Sequence, residues 1–165
     1  MSRLVVLAAL LAIALVPAST GATAGCAASG LQGRFAAVNG SAGAGSISYA
    51  LRLKNVGGSS CTISGRPGLQ LLDARGRSLP THVVPDHRGT GTAVLVTVRP
   101  GHRAVLTARF SPDIPSGGEG NPCEPTAHSI RVTLPSPAHG TLTAPVAPAT
   151  PVCEHGRLVV GLFHS

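Results

Sequence analysis

Four cysteines are the residues of this chain that could take part in the widest range of chemical functions. They are Cys26, Cys61, Cys123 and Cys153. A cysteine can serve as a nucleophile, as a metal ligand or as half of a disulfide. No two of them have the close C-x-x-C type of spacing that marks zinc and redox sites. The even number and the wide spacing favour two disulfides in an oxidising compartment.

Four cysteines allow three different pairings, and we prefer the one that joins nearest neighbours. It pairs Cys26 with Cys61 and Cys123 with Cys153. Each bond would close a loop of about 30–36 residues, worth roughly 3–4 kcal/mol in the chain-entropy description of disulfides. A catalytic thiol would need an unpaired cysteine beside a base. A zinc site made of cysteines is the alternative, although the spacing of the four cysteines does not match that of known zinc motifs.

Seven histidines form the second group with possible chemistry. His82 and His87 lie five residues apart in one expected loop, with Asp86 between them, and His102 lies on an expected hairpin turn. Three imidazoles could bind zinc or copper, so His82, His87 and His102 are the candidate metal ligands. The alternative is that all three are solvent-exposed loop residues, because this spacing has little specificity in an irregular loop.

No arrangement of serine, histidine and acidic residues in the chain predicts catalysis. The G-x-S-x-G turn of serine hydrolases is missing. The six acidic residues suggest no pair for glycoside hydrolysis. The glycine-rich segment Asn39–Ser46 lacks the Gly-Lys-Ser/Thr ending of a phosphate-binding loop. We therefore expect a protein that is not an enzyme and has no cofactor.

Short β-strands are the elements that must position these residues. In "SISYALRLKN" (Ser46–Asn55) apolar and polar side chains alternate, which predicts a strand with one buried and one solvent face and with Tyr49 in the core. About eight such segments recur between glycine, proline, serine and asparagine residues, without helical periodicity. Thr81–Gly91 and Ser111–Pro125 are expected to be long loops. The pattern predicts an antiparallel β-sandwich or barrel.

The N-terminal segment has the organisation of an export signal. Arg3 precedes the apolar run "LVVLAALLAIALV", and Ala22 and Ala24 have the small-x-small spacing that a signal peptidase needs. We expect residues 1–24 to be a cleaved signal peptide and residues 25–165 to form one domain. The apolar run is shorter than the roughly 20 residues of a membrane span, so no transmembrane segment should remain after cleavage.

A lipid anchor at Cys26 is the alternative to its disulfide. The sequence "TAGC" ends like the cleavage box of a lipoprotein, in which the cysteine becomes the lipidated first residue. Thr23, however, lies where a large aliphatic residue is usual, and the segment before Cys26 is long for such a signal. We therefore favour the disulfide.

The charge of the chain limits its partners. Thirteen lysine and arginine residues against six acidic residues give a formal net charge of +7 at pH 7. The basic residues are dispersed, and their densest groups are the pairs Arg52/Lys54 and Arg75/Arg77. One tyrosine, three phenylalanines and no tryptophan supply few rings for stacking on bases, so we expect no nucleic acid partner. Weak affinity for an acidic cell-wall polymer fits the charge better.

Several motifs occur together in a recognisable order. After Cys26 and a leucine-containing strand come "YALRLKN" (Tyr49–Asn55), "CTISGRPG" (Cys61–Gly68), "LLDARG" (Leu71–Gly76), "VTVRPG" (Val96–Gly101) and "SIRVTLP" (Ser129–Pro135). In this order they resemble the secreted domain of unknown function 4232, which is common in actinomycete bacteria. The resemblance implies an immunoglobulin-like β-sandwich and brings no established activity, catalytic residue or ligand. The chain differs at Phe110, where the family often has a tryptophan.

Together these patterns indicate a secreted or otherwise extracytoplasmic domain of the cell envelope, an immunoglobulin-like β-sandwich of about seven to eight strands with two disulfides. The leading hypothesis is a non-enzymatic binding module for a cell-wall polymer or an envelope protein. The alternative is an exported metal-binding protein that uses His82, His87 and His102.

Overall fold

The computed structural model of the chain describes residues 23–86, 92–114 and 116–165. Within these ranges the chain forms ten strands: β1 (Leu31–Ala37), β2 (Ile47–Asn55), β3 (Cys61–Ile63), β4 (Gly68–Leu72), β5 (His82–Pro85), β6 (Val96–Val98), β7 (Arg103–Phe110), β8 (Ala127–Thr133), β9 (Thr141–Thr150) and β10 (Arg157–Val160). Two single turns, Ala28–Gly30 and Cys153–Gly156, are its only helical elements there. The all-β prediction is confirmed. The expected signal segment lies almost entirely outside these ranges.

Two of the ten described strands were not among the expected segments. The predicted loop Thr81–Gly91 is wrong at its start, because His82–Pro85 forms β5 and pairs in parallel with β10. Cys61–Ile63, which carries the cysteine expected to crosslink to the N-terminal segment, forms β3 and pairs with β6. Both strands are too short to show a clear alternation of their own. After β4 the chain turns back and forms only one isolated bridge, between Leu72 and Ser78.

One curved sheet dominates the architecture. Eight strands follow one another in the order β4-β8-β9-β1-β2-β7-β10-β5, and β3 and β6 form a separate pair. Most neighbours are antiparallel, but β1 pairs with β9, and β5 with β10, in parallel. Because side chains from both ends of this order meet in one core, the sheet closes almost into a barrel. It therefore does not show the two clearly separate layers of an immunoglobulin-like sandwich.

Aromatic rings occupy the centre of the core. The prediction that Tyr49 is a core residue is confirmed, since it is 1% exposed. Its ring lies between Phe35 and Phe110, with centroid distances of 5.2 and 5.1 Å. The Tyr49 hydroxyl donates a hydrogen bond of 2.9 Å to the carbonyl of Pro148 on β9. Burial raises the pKa of this hydroxyl, against a smaller lowering effect of a hydrogen bond with Thr150.

Two disulfides join segments that are distant in sequence. Cys26 is bonded to Cys61, and Cys123 to Cys153, which are the nearest-neighbour pairs preferred above. The first bond ties the N-terminal segment to β3, where the N–H of Thr62 also donates to the carbonyl of Ala24. The second ties the loop before β8 to the turn before β10. Because the sulfur of Cys26 is bonded in this way, the same atom cannot also carry a lipid thioether.

Asn55 holds the turn that follows β2. Its side chain is buried, and its amide nitrogen donates to the carbonyls of Ser59 at 2.8 Å and Val98 at 2.9 Å. The amide oxygen accepts the N–H of Gly57 at 2.9 Å. A buried amide with this many partners is well satisfied. The end of β2 is therefore fixed against β6, which also fixes the position of Lys54.

Candidate functional site

Four basic side chains from three strands lie together on the outer surface of the sheet. Arg34 on β1 lies directly opposite Arg52 on β2, and Lys54 on β2 lies directly opposite Arg103 on β7. Arg34, Lys54 and Arg103 are exposed, and Arg52 is half-buried. We call Arg34, Arg52, Lys54 and Arg103 the basic face.

The alternation of buried and exposed residues creates the basic face. Leu51 and Leu53 are fully buried, so the residues next to them in β2 point outwards. The same alternation places Arg34 next to buried Phe35 and Arg103 next to buried Ala104. The basic face lines an open groove of about 320 Å³, whose other lining residues are Gln32, Gly33 and Pro145.

No carboxylate within these strands balances the charge of the basic face. None of the six acidic residues of the chain lies in β1, β2 or β7. The ion pairs found in the described part of the chain use Arg77, Arg157 and His155 instead. Like charges directly opposite each other on paired strands are unfavourable, by about 0.7 kcal/mol per pair at 6 Å in water. An anion bound across the face would relieve this repulsion.

Sequence reasoning found only half of the basic face. It identified Arg52/Lys54 as a pair, because these residues are close along the chain. Arg34 and Arg103 join them through the register of β1 and β7 with β2. The sequence does show that no acidic residue occurs in any of the three strands. That absence could not reveal that the strands lie side by side.

A second groove contains the residue types of a catalytic triad. Ser48, Asp86 and His164 line a groove of about 390 Å³ next to the basic face. Ser48 is paired with Arg109, whereas His164 is bridged to Val105 on the other side of β7. Four residues along a strand span about 14 Å, which exceeds hydrogen-bond reach several-fold. The groove therefore does not assemble a triad.

His82 and His102, two of the three predicted metal ligands, are not brought together. His82 begins β5, beside the end of β7 at Phe110, whereas His102 precedes the start of β7. The length of β7 therefore separates these two histidines by roughly 25–30 Å. Both are exposed. His87, the third predicted ligand, lies outside the described residues.

A different set of possible metal ligands meets beside the Cys123–Cys153 disulfide. Glu119, Glu124 and His155 present ligand atoms that all lie within 4.8 Å of one another. Nδ1 of His155 is 3.8 Å from Oε1 of Glu119 and 3.6 Å from Oε1 of Glu124. The side chains of Glu119, Glu124 and His155 are 1%, 13% and 67% exposed. We call these residues the Glu–Glu–His cluster.

An unusual turn positions the histidine of this cluster. Glu154, His155 and Gly156 have consecutive left-handed φ angles of 56°, 55° and 75°. Only glycine fits at position 156, since a β-carbon there would lie 1.9 Å from the carbonyl oxygen of Pro80. Consecutive N–H groups in such a turn converge on one point and can bind an anion. In this turn the anion is the carboxylate of Glu119, which accepts the N–H of His155.

Glu119 is held as a carboxylate by several donors. Its Oε1 accepts the N–H of His155 at 2.5 Å, and its Oε2 accepts the N–H of Ser116 and, at 2.8 Å, the hydroxyl of Ser116. Burial acts to raise the pKa of this carboxyl. The N–H groups of His155 and Ser116, the Ser116 hydroxyl and the N–H of Glu154 outweigh burial and lower the pKa to about 2. Glu119 therefore fastens the loop before β8 to the turn before β10.

A family comparison identifies the chain. A family model described as "Domain of unknown function (DUF4232)" matches residues 26–164. The chain belongs to this family. The DUF4232 match includes all four cysteines, the basic face and the Glu–Glu–His cluster, and it confirms the family that the motif order resembles. Searches of curated proteins and of solved structures gave no significant match. Membership of DUF4232 therefore names no ligand.

Glu119 should make the stability of this DUF4232 domain sensitive to acid. Its pKa lies below the ordinary 4.5, so the carboxylate stabilises the fold above about pH 4.5, and this contribution is lost as the pH falls towards 2. A Glu119→Gln variant should be less stable than the wild type at neutral pH, and the difference in Tm should shrink between about pH 5 and pH 2. Thermal unfolding of both proteins across this range measures it. A constant difference in Tm would contradict the role of the carboxylate.

Neither of the helical turns in the described parts of the chain has the length or the apolar character of a membrane-spanning helix.

Proposed function

We propose that this DUF4232 chain is an exported, non-enzymatic module that binds an acidic polymer of the cell envelope through its basic face. The observation that carries the proposal is the juxtaposition of Arg34, Arg52, Lys54 and Arg103 on three strands that contain no acidic residue. The N-terminal sequence pattern and the two disulfides support an oxidising, extracytoplasmic location.

The form of the surface favours an extended polymer over a small molecule. Small-molecule sites are usually concave and enclose most of their ligand, whereas the groove at the basic face is open to solvent. The strands space the Cα atoms that carry these side chains about 5 Å apart across the sheet and about 7 Å apart along β2. Such a two-dimensional array suits repeated negative groups on a flexible chain.

We also propose that the fold is a variant of the immunoglobulin-like sandwich that the family resemblance implies. One layer would be β4-β8-β9, and the other β1-β2-β7-β10-β5. Only two residue pairs, Phe35 with Val146 and Ala36 with Ala147, join β1 to β9. In this interpretation the short parallel seam merges the two layers into one continuous strand order.

Substitutions within the basic face test the proposal. The oxidised domain is titrated with polyphosphate and with polygalacturonate, which separate a phosphate polymer from a carboxylate polymer, and neutral dextran serves as the blank. We expect micromolar-range binding that weakens with salt, because exposed charges are screened. The double variant Arg34→Gln/Arg52→Gln should bind at least about tenfold more weakly, a loss of about 1.4 kcal/mol.

A matched pair of substitutions controls for net charge. Arg75→Gln/Arg157→Gln removes the same charge from exposed residues in the turn after β4 and at the start of β10, beside the opposite end of β7 from Arg103. It should weaken binding by less than about threefold, since distant exposed charges act through screened interactions. Equal losses in the two double variants would show that net charge and not the basic face determines affinity. Absence of binding to either polymer would overturn the proposed ligand class, and cleavage of a polymer would overturn the non-enzymatic assignment.

A further inference from the structure

We infer that the Glu–Glu–His cluster is a binding site for a divalent metal ion, and that Zn²⁺ is the ion its donors suit. The site is separate from the basic face and does not depend on the proposed polymer ligand. It comprises two carboxylates and one imidazole, whose candidate ligand atoms lie within 4.8 Å of one another. It also differs from the histidine set His82, His87 and His102 that the sequence indicated.

The two carboxylates of the cluster have no lysine or arginine among their ion-pair partners in the described residues. Glu119 and Glu124 are both largely withdrawn from solvent, with side chains 1% and 13% exposed. In the part of the chain that the structure describes, the only side chain that can form an ion pair with either of them is the imidazole of His155. The nearby Arg157 pairs with Glu154 instead, at 3.1 Å. Two close, weakly solvated carboxylates repel each other, and a divalent ion between them would remove that cost.

The distances are close to those of a first coordination shell. Zinc bonds to nitrogen and oxygen of about 2.0–2.2 Å place neighbouring ligands of a tetrahedral site roughly 3.4 Å apart. The corresponding distances from Nδ1 of His155 are 3.8 and 3.6 Å. Oε1 of Glu119 already accepts the N–H of His155, so a metal bound there would share this oxygen with that donor. Small rotations of the exposed His155 ring and of the Glu124 carboxylate would therefore complete the set.

The chemical types of the three ligand atoms indicate which metal ion would bind. Calcium and magnesium prefer shells made of oxygen alone, so an imidazole donor disfavours both. Cuprous ion prefers thiolate and thioether ligands, but the four cysteines are joined in disulfides and Met1 is the only methionine. Imidazole with carboxylates suits Zn²⁺, which accepts three protein ligands and leaves a fourth position for water. His155 lies at the exposed side of the cluster, where that water would enter.

Calorimetric titration of the oxidised, chelator-treated domain with Zn²⁺ tests the inference. We expect one ion per chain, with little heat from Ca²⁺. His155→Asn removes the imidazole but suits the left-handed backbone there, because asparagine adopts that conformation readily. His155→Asn and Glu124→Gln should each weaken Zn²⁺ binding at least about tenfold. His82→Asn, which alters an exposed histidine at the start of β5, is the matched control and should leave the affinity unchanged.

Thermal unfolding supplies a second measurement and checks that each variant folds. Saturating Zn²⁺ should raise the Tm of the wild type and of His82→Asn, but not that of His155→Asn. Absence of stoichiometric binding would overturn the inference, as would unchanged affinity in both cluster variants. Loss of binding in His87→Asn with retention in His155→Asn would assign the metal to the loop histidines instead. The Arg34→Gln/Arg52→Gln protein should bind Zn²⁺ normally, so failure of one proposal is distinguishable from failure of the other.

Discussion

Removal of the Cys26–Cys61 disulfide should lower the free energy of unfolding by about 3–4 kcal/mol. The bond spans a sequence separation of 35 residues, so its loss returns a large loop-closure entropy to the unfolded chain. Cys26 is also fully buried. Without the bond, the hydrogen bonds between Thr62 and the segment Ala24–Cys26 must hold the N-terminal segment against β3 unaided.

The double variant Cys26→Ser/Cys61→Ser is the appropriate protein for this measurement, because it leaves no unpaired thiol. Chemical denaturation of the oxidised variant and wild type gives the two free energies of unfolding, and mass mapping confirms that Cys123–Cys153 is intact. Ser60→Ala, next to Cys61 in an exposed turn, is the control and should change stability by less than about 0.5 kcal/mol. A loss below about 1 kcal/mol in the double variant would show that this disulfide is dispensable for the fold.

Phe35→Ala should destabilise the domain by about 3–5 kcal/mol, because truncation of a buried aromatic ring loses apolar burial and leaves a cavity. Phe35 is fully buried and packs against Tyr49 with the two rings tilted at 46°. Its backbone pairs with Leu51 of β2 on one side and with Val146 of β9 on the other. The cavity would therefore open at the seam where β1 joins the two parts of the sheet.

Denaturant unfolding of Phe35→Ala measures this loss. Val56→Ala is a suitable control, since Val56 is 56% exposed just beyond β2 and should tolerate truncation with less than about 0.5 kcal/mol of change. A Phe35→Leu variant should recover much of the stability, because it refills most of the cavity. If Phe35→Ala were as mild as Val56→Ala, the parallel seam between β1 and β9 could not be part of the cooperative core.

The prediction from sequence was best where structure depends on neighbours in the chain. The alternation in Ser46–Asn55 predicted β2 and the burial of Tyr49, because in a strand each residue determines the face of the next. It was weakest at β3 and β5, which are three and four residues long. Strands this short can be identified only from the strands they pair with, and β10, which pairs with β5, lies far away in the sequence.

The candidate sites were likewise predicted only where their residues are close together in the sequence. The sequence offered His82, His87 and His102, since two of them are close in the chain, but β7 separates His82 from His102. Glu119 and Glu124 lay in an expected loop, and the preferred pair Cys123–Cys153 was the one sequence signal that could have placed them near His155. The disulfide Cys123–Cys153 brings that loop to the turn that carries the histidine.

The all-β class, the positions of most strands and the presence of two disulfides could be predicted from the sequence, because alternation, turn residues and cysteine number are local properties of the chain. Which charges share a surface depends on the folded arrangement of the strands. Arg34 and Arg103 reach Arg52 and Lys54 through strand register, and a register slip of one residue would turn every side chain of a strand to the opposite face. Register is set by the packing of the whole core, so no local pattern in the sequence contains it.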